Sequence, residues 1–281
     1  MKWLLFGLVA VVILAIALWG LGRWCWSSKT RALLDKLEAS RSRAAVERFN
    51  PQELQGLPEP VARHLQQVLP KGAPIIRAVE VVHRGSFNMS QTGEQWKPFT
   101  SRQRVVTRRP GFVWAGRVSI APGLDVFVHD AYVDGGGILE PALAGLVTLM
   151  RLRDRGEVAR GELMRFMAEA AWYPTALLPS QGMQWEPVDE QSARATLVDG
   201  DIRLTMTFHF GADGLIETIR AEDRGRTVGN RIIPTPWEGR VFDYQRRDGL
   251  LIPVRGEVAW ITPEGRLPYW RGTITEIHYH R

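Results

Sequence analysis

The sequence predicts a mainly β, α+β protein. An N-terminal transmembrane helix precedes one large curved antiparallel sheet of roughly eleven strands, with two helices against its concave face. Three observations carry this expectation. Residues 3–22 are uncharged, and as a helix such a run spans roughly 30 Å, the thickness of a bilayer core. After Pro74 the apolar residues recur with a period near two, in runs separated by turn dipeptides. Two mid-chain stretches, Pro141 to Leu152 and Glu157 to Ala171, read as helices, the first apolar with a basic end and the second amphipathic.

At the N-terminus, Trp3, Trp19, Trp24 and Trp26 lie where indoles favour the lipid–water interface, and Arg23, Lys29 and Arg31 follow at once. A cleaved signal peptide is the competing reading, since Lys2 gives a positive start and Ala15-Ile16-Ala17 has a cleavage-like form. The apolar run nevertheless continues through Leu18, Trp19 and Leu21, which favours an uncleaved anchor. Cys25 is the only cysteine and follows Gly22-Arg23-Trp24, a poor context for lipid attachment. Internal disulfides and thiolate metal sites are thereby excluded from the body of the chain.

Charge placement narrows the function classes. Of 36 Lys+Arg and 30 Asp+Glu, eight and three lie in residues 1–50, a net of +5 there against +1 over the rest of the chain. The basicity belongs to the juxtamembrane segment, where it suits anionic lipid, and nucleic-acid binding loses its support. The expected organisation is a membrane anchor at 1–26, a basic helical linker at 27–49 and a single α+β domain at 50–281.

Within that domain, Asn50-Pro51-Gln52-Glu53 has the signature of a helix start, and Pro58 to Leu69 reads as a second short helix stopped by Pro70-Lys71-Gly72. Strands follow at Ile76 to Phe87, Trp96 to Val106, Gly111 to Ile120 and Asp125 to Val133. After the two helices they resume at Met183, Ala193, Arg203, Ile216, Trp237, Ile252 and Tyr269. Asp134-Gly135, Asp199-Gly200, Asp213-Gly214, Asp248-Gly249 and Glu264-Gly265 supply turn residues between runs.

Gly161 to Pro179 reads Gly-Glu-Leu-Met-Arg-Phe-Met-Ala-Glu-Ala-Ala-Trp-Tyr-Pro-Thr-Ala-Leu-Leu-Pro. Together with Gly111-Phe112-Val113-Trp114, Asp130-Ala131-Tyr132-Val133-Asp134-Gly135, Pro236-Trp237-Glu238-Gly239-Arg240, Gly256-Glu257-Val258-Ala259-Trp260 and Tyr269-Trp270-Arg271-Gly272, it resembles a bacterial family of membrane-anchored domains of unknown function. The resemblance runs from Phe49 to Tyr279 and implies a half-barrel like that of lipoprotein-carrier proteins, its hydrophobic concavity plugged by helices. It implies no particular activity.

Glu162, Arg165 and Glu169 fall on one helix face. They read either as a carboxylate held by Arg165 toward a cavity, or as an ordinary i,i+4 ion pair worth about 0.3–0.5 kcal/mol. His129 and Asp130 adjoin in a strand and so point to opposite faces, and no helical histidine pairing occurs, so no metal is expected. Ser180 and Ser192 lack a nucleophile elbow, and Gly135-Gly136-Gly137 lacks the Lys-Ser/Thr of a phosphate loop, so no cofactor is expected. Asp223-Arg224-Gly225-Arg226, with Arg231, reads as an anion clamp or as solvated loop charge. Seven tryptophans beyond the anchor serve either a core or an acyl-chain groove.

Three functions remain. The first is a single-pass protein of the bacterial cytoplasmic membrane whose domain binds a lipid or lipid-linked envelope component, with Arg165, Glu169, Trp172, Tyr173 and Arg224 at the site. The second is a membrane-associated enzyme with Glu169, Asp130 or Asp134 as acid or base. The third is a structural domain meeting a protein partner that the sequence does not identify. The flanking charges argue for a cytoplasmic domain and the position of the span for a signal anchor; the extracytoplasmic side is the one expected.

Overall fold

The computed structural model describes residues 2–41, 47–90, 93–229 and 231–281. The apolar span and the basic stalk form one uninterrupted helix, α1 (Lys2–Ser40), with no proline to break it. Its first half is exposed and is long and apolar enough to cross a membrane. The helical linker expected to reach Phe49 ends at Ser40, and Val46, counted as part of its apolar face, lies outside the described residues. Asn50 caps a single 3-10 turn, Pro51–Leu54, by accepting from the Gln52 amide at 3.1 Å. The helix expected over Pro58 to Leu69 is α2 (Glu59–Val68).

Fourteen strands follow: β1 (Ala78–Asn88), β2 (Trp96–Val106), β3 (Gly111–Ala121), β4 (Leu124–Val133), β5 (Gly136–Leu143), β6 (Val147–Thr148), β7 (Leu152–Asp154), β8 (Gln184–Asp189), β9 (Ser192–Asp199), β10 (Ile202–Phe210), β11 (Ile216–Val228), β12 (Arg231–Arg247), β13 (Leu250–Thr262) and β14 (Gly265–His280). They make one open antiparallel sheet in the order β6-β5-β4-β3-β2-β1-β14-β13-β12-β11-β10-β9-β8, with β7 beside β5. Two meanders are thus zipped together where β1 pairs with β14, from Ala78↔His280 to Phe87↔Trp270. The sheet curls enough for Tyr132 on β4 to donate to Asp199 at the end of β9, at 2.6 Å.

The three strands beyond the eleven expected, β5, β6 and β7, occupy Gly136–Asp154, so the helix expected over Pro141 to Leu152 does not exist. Ala144 (φ 52°) and Gly145 (φ 74°) turn the chain back through the left-handed region, which a helix does not use. The helical reading arose because both faces of β5 are covered. Leu139 and Pro141 face the concavity, and Ile138 and Glu140 lie toward α1. A strand buried on both sides loses the alternation that identifies it.

The other mid-chain helix is α3 (Glu157–Ala168), continued by 3-10 turns through Leu177. Asp154 caps its start by accepting from the amides of Gly156, Val158 and Ala159. The helix begins directly on β5: a Cβ at Gly137 would meet the Ala159 amide nitrogen at 2.4 Å. It packs inside the curve of the sheet, burying Leu163, Met164, Phe166 and Met167 in the main core.

The second half of α1 lies on the opposite, convex face. Leu37 packs against Ala78, Val106, Val113, Ala131 and Val133, Trp26 stacks on His129 with centroids 3.8 Å apart, and Glu38 receives Arg104 Nε at 2.6 Å. The lipid-binding reading calls for an apolar cavity facing the anchor, but the topology places anchor and concavity on opposite faces of the sheet.

Candidate functional site

The concave floor is paved with indoles, and a short pattern makes this possible. Trp114, Trp237 and Trp270 each have glycine two residues further along the same strand face. A Cβ at Gly116, Gly239 or Gly272 would meet its tryptophan ring at 2.1, 3.0 or 2.3 Å, so each ring lies flat over the glycine. Trp-x-Gly could have been read from the sequence as three flat rings on one face.

Above this floor lies a cavity of about 340 Å³, lined by these rings, Trp172, Phe87, Val126, Val128, Ile219, Val241 and Val258. Its polar groups are few: Asp130, Arg165, Glu169, Arg224, Arg240 and Glu257. A second, more open cavity adjoins it, sharing Phe87, Met89, Asp130, Leu139, Arg224 and Tyr269. An apolar concavity with a few converging polar groups is the usual form of a small-molecule site.

Arg165 is the centre of the polar group. Projecting from α3, it donates to Asp130 Oδ2 at 2.5 Å and Glu169 Oε1 at 2.7 Å, with its guanidinium over the rings of Phe112 and Trp114. Gln103 Nε2 donates to the other Glu169 oxygen at 2.5 Å. Burial alone would make Arg165 less basic, but Glu169, Asp130 and Glu162 outweigh it and hold the guanidinium charged. This is more than the surface i,i+4 pair considered from the sequence, because Asp130 joins from β4 and all three groups are mostly shielded from water.

Glu162 is the opposite case. Desolvation, then the Asp130 carboxylate and a hydrogen bond with it, push its carboxyl well above the usual range. Its Oε2 and Asp130 Oδ1 are both buried without a hydrogen-bond partner among the described residues.

Arg224 lies over Trp237 at 4.9 Å and Trp260 at 5.9 Å, with only 8% of its surface exposed. It faces both cavities, yet forms no hydrogen bond or ion pair with any described residue. The nearby Glu162 carboxyl feels its charge, but a buried guanidinium whose donors are left without hydrogen-bond acceptors costs free energy until an anion joins it.

The site residues named from the sequence divide accordingly. Arg165, Glu169, Asp130, Trp172 and Arg224 come together at the cavity. Tyr173 does not line it; the ring is buried and its hydroxyl donates to the Phe166 carbonyl at 2.6 Å, tying the 3-10 turn to α3. Asp134 is remote, sitting exposed at φ 52° in the β4–β5 turn, 3.6 Å from Arg155. Asp130 and Glu169 do converge, as acid–base chemistry requires, but both are committed to Arg165 between them. The Arg226 guanidinium lies 6.0 Å from the centre of the Trp260 ring. His129 and Asp130 point to opposite faces, the former to Thr30 at 2.7 Å and the latter to Arg165. Sequence reasoning missed Gln103, whose signal is a lone amide at an inward position of β2.

The family of unknown function DUF6920 matches residues 55–279, and the chain belongs to it. No protein with a curated description matches the sequence. Among solved structures, the chain is similar to a domain named as an outer membrane lipoprotein-sorting protein from Vibrio parahaemolyticus, at 10% identity and a TM-score of 0.40, covering 82% of this chain and 92% of that one. It is also similar to a DUF1329 family protein from Desulfovibrio piger, at 9% identity and a TM-score of 0.40, covering 73% and 86%. A LolA superfamily protein from Nitrosomonas europaea gives 10% identity and a TM-score of 0.37, covering 83% and 94%.

Proposed function

We propose that the protein is held in the bacterial cytoplasmic membrane by the first half of α1, and that its extracytoplasmic domain, residues 50–281, binds an amphipathic lipid or lipid-linked envelope component. The carrying observation is the pairing of a tryptophan-floored apolar cavity with Arg224, a buried cation that no described residue engages in a hydrogen bond or ion pair. An acyl chain lies along the floor, gaining about 0.8 kcal/mol per buried methylene. The anionic head group meets Arg224, where a charge-assisted hydrogen bond between Trp237 and Trp260 is strong because water is scarce. Arg165 is already neutralised by Asp130 and Glu169, so it shapes the site and leaves Arg224 to choose the head group. The partner-binding alternative calls for a solidly packed concave face, which the cavity argues against.

The test is native mass spectrometry of the full chain, extracted gently, followed by lipid analysis. Wild-type protein is expected to retain one amphiphile beyond the lipids on its anchor. Arg224→Gln is expected to lower that retention by about tenfold, as loss of a charged hydrogen bond implies. Wild-type protein that holds only anchor lipids, before and after incubation with added phospholipid, contradicts the reading.

A further inference from the structure

The turn between β5 and β6 lies at a distinctive place. Gly22, where the uncharged run of α1 ends, is pressed onto it so closely that a Cβ there would be 2.2 Å from the Ala144 carbonyl oxygen. In return, a Cβ on Gly145 would be 2.6 Å from the Gly22 carbonyl oxygen. The helix that crosses the bilayer therefore leaves it in backbone contact with this hairpin, at the level where the next residue is Arg23.

The hairpin carries apolar side chains to solvent where the fold gives no reason for them. Val147 is 59% and Leu149 54% exposed, and Leu146 is exposed beside them. Behind this tip Lys29, Arg151 and Arg153 surround the single buried carboxylate of Glu140, at 3.4, 3.4 and 2.7 Å. Three cations on one acid leave two positive charges in excess, with all three side chains about half exposed. Apolar tip first and cations behind is the order in which a membrane presents acyl chains and anionic head groups.

We infer that the β5–β6 hairpin dips into the lipid–water interface beside the anchor and holds the cavity mouth on the bilayer. Leu149 lines the first cavity and Met150 the second, so the segment seated in lipid is also a wall of the site. Although anchor and concavity lie on opposite faces of the sheet, the hairpin carries the chain around its edge and joins them. An amphiphile would pass from the leaflet under this edge, tail first, without crossing water. The inference rests on the anchoring part of the proposed function.

The experiment uses the full chain with Cys25→Ser, in nanodiscs of phosphatidylethanolamine and phosphatidylglycerol. A nitroxide is placed on Val147→Cys, or on Glu190→Cys in the distant β8–β9 turn as the aqueous reference. The label at 147 is expected to respond several-fold more to oxygen, relative to a water-soluble nickel chelate, than the label at 190. Equal ratios at the two positions overturn the inference. So does a label at 147 shielded from both reagents, which signifies a protein contact instead. A chain that does not enter nanodiscs overturns the anchor as well. A lipid signal at 147 in protein that retains no amphiphile leaves the hairpin seated and removes the ligand reading.

Discussion

Arg165→Met is expected to destabilise the folded domain by about 3–5 kcal/mol, the cost of leaving buried charges without their partner. The substitution roughly preserves side-chain volume but strands Asp130 and Glu169, which now lie near each other and near Glu162 with no cation between them. For a domain of this size the loss corresponds to a fall in Tm of roughly 10 °C. Replacing the acids as well, in Asp130→Leu/Arg165→Met/Glu169→Gln, is expected to recover most of the stability, because an apolar cluster of similar volume avoids desolvation altogether. Denaturation of the full chain in detergent measures both. A loss below about 1 kcal/mol for the single variant would place Arg165 among ordinary surface ion pairs.

Acidification between pH 6.5 and pH 4 is expected to destabilise the protein steeply, with three histidines responsible. His64, His83 and His129 are buried, and their pKa values are pushed down to about 4, 3 and 4, chiefly by desolvation. Arg165 lowers His83 further, whereas Glu140 partly offsets the shift of His129. Below the ordinary histidine value of 6.5 the unfolded chain takes up protons that the folded chain refuses. Each histidine then costs about 1.4 kcal/mol per pH unit until its own folded pKa is reached.

Glu162 acts in the opposite sense, because its raised pKa lets the folded chain bind a proton first. Below the usual glutamate value of 4.5 the acids held down by arginines add to the loss. Burial alone would raise Glu38, Glu140, Glu238 and Glu257, but hydrogen bonds from Arg104, Arg153, Arg266 and Arg271 outweigh it. His83→Gln, which can keep the contact with Ser101, is expected to flatten the slope by about a third in urea titrations at successive pH values. A stability independent of pH between 6.5 and 5 would contradict the burial of these rings.

Much of this architecture was legible in the sequence, and the exceptions share physical causes. Asp-Gly turns located the hairpins: φ is positive at both residues of Asp134-Gly135 and Asp248-Gly249 and at the glycine of Asp199-Gly200 and Asp213-Gly214, and positive φ favours those residue types. The period of two correctly separated His129 from Asp130. Alternation blurred in β4 and β5 because α1 covers their backs: Ala131 and Val133 are as buried as Tyr132 between them. That burial depends on a helix more than 90 residues earlier in the chain, and local periodicity cannot register it.

The Arg165–Glu169 spacing was evident from the helix alone, but its meaning changed once Asp130 and Gln103 arrived from β4 and β2. Arg224 was read either as part of an anion clamp or as solvated loop charge; it lies within β11, not a loop, with its guanidinium against Trp237 and Trp260. The β1–β14 pairing that makes one sheet of two meanders joins residues about 200 positions apart, and no short-range pattern encodes it.

The central claim, that an amphiphile occupies the concave cavity, is tested most directly by photo-crosslinking. A phosphatidylglycerol carrying a diazirine in its acyl chain would be offered to the full chain in nanodiscs, and the adducts mapped by mass spectrometry. Labelling on the inward faces of β4, β12 and β13, at Val128, Val241 and Val258, is the predicted result, reduced in Arg224→Gln. Labelling confined to α1, with the inward faces untouched, would contradict it.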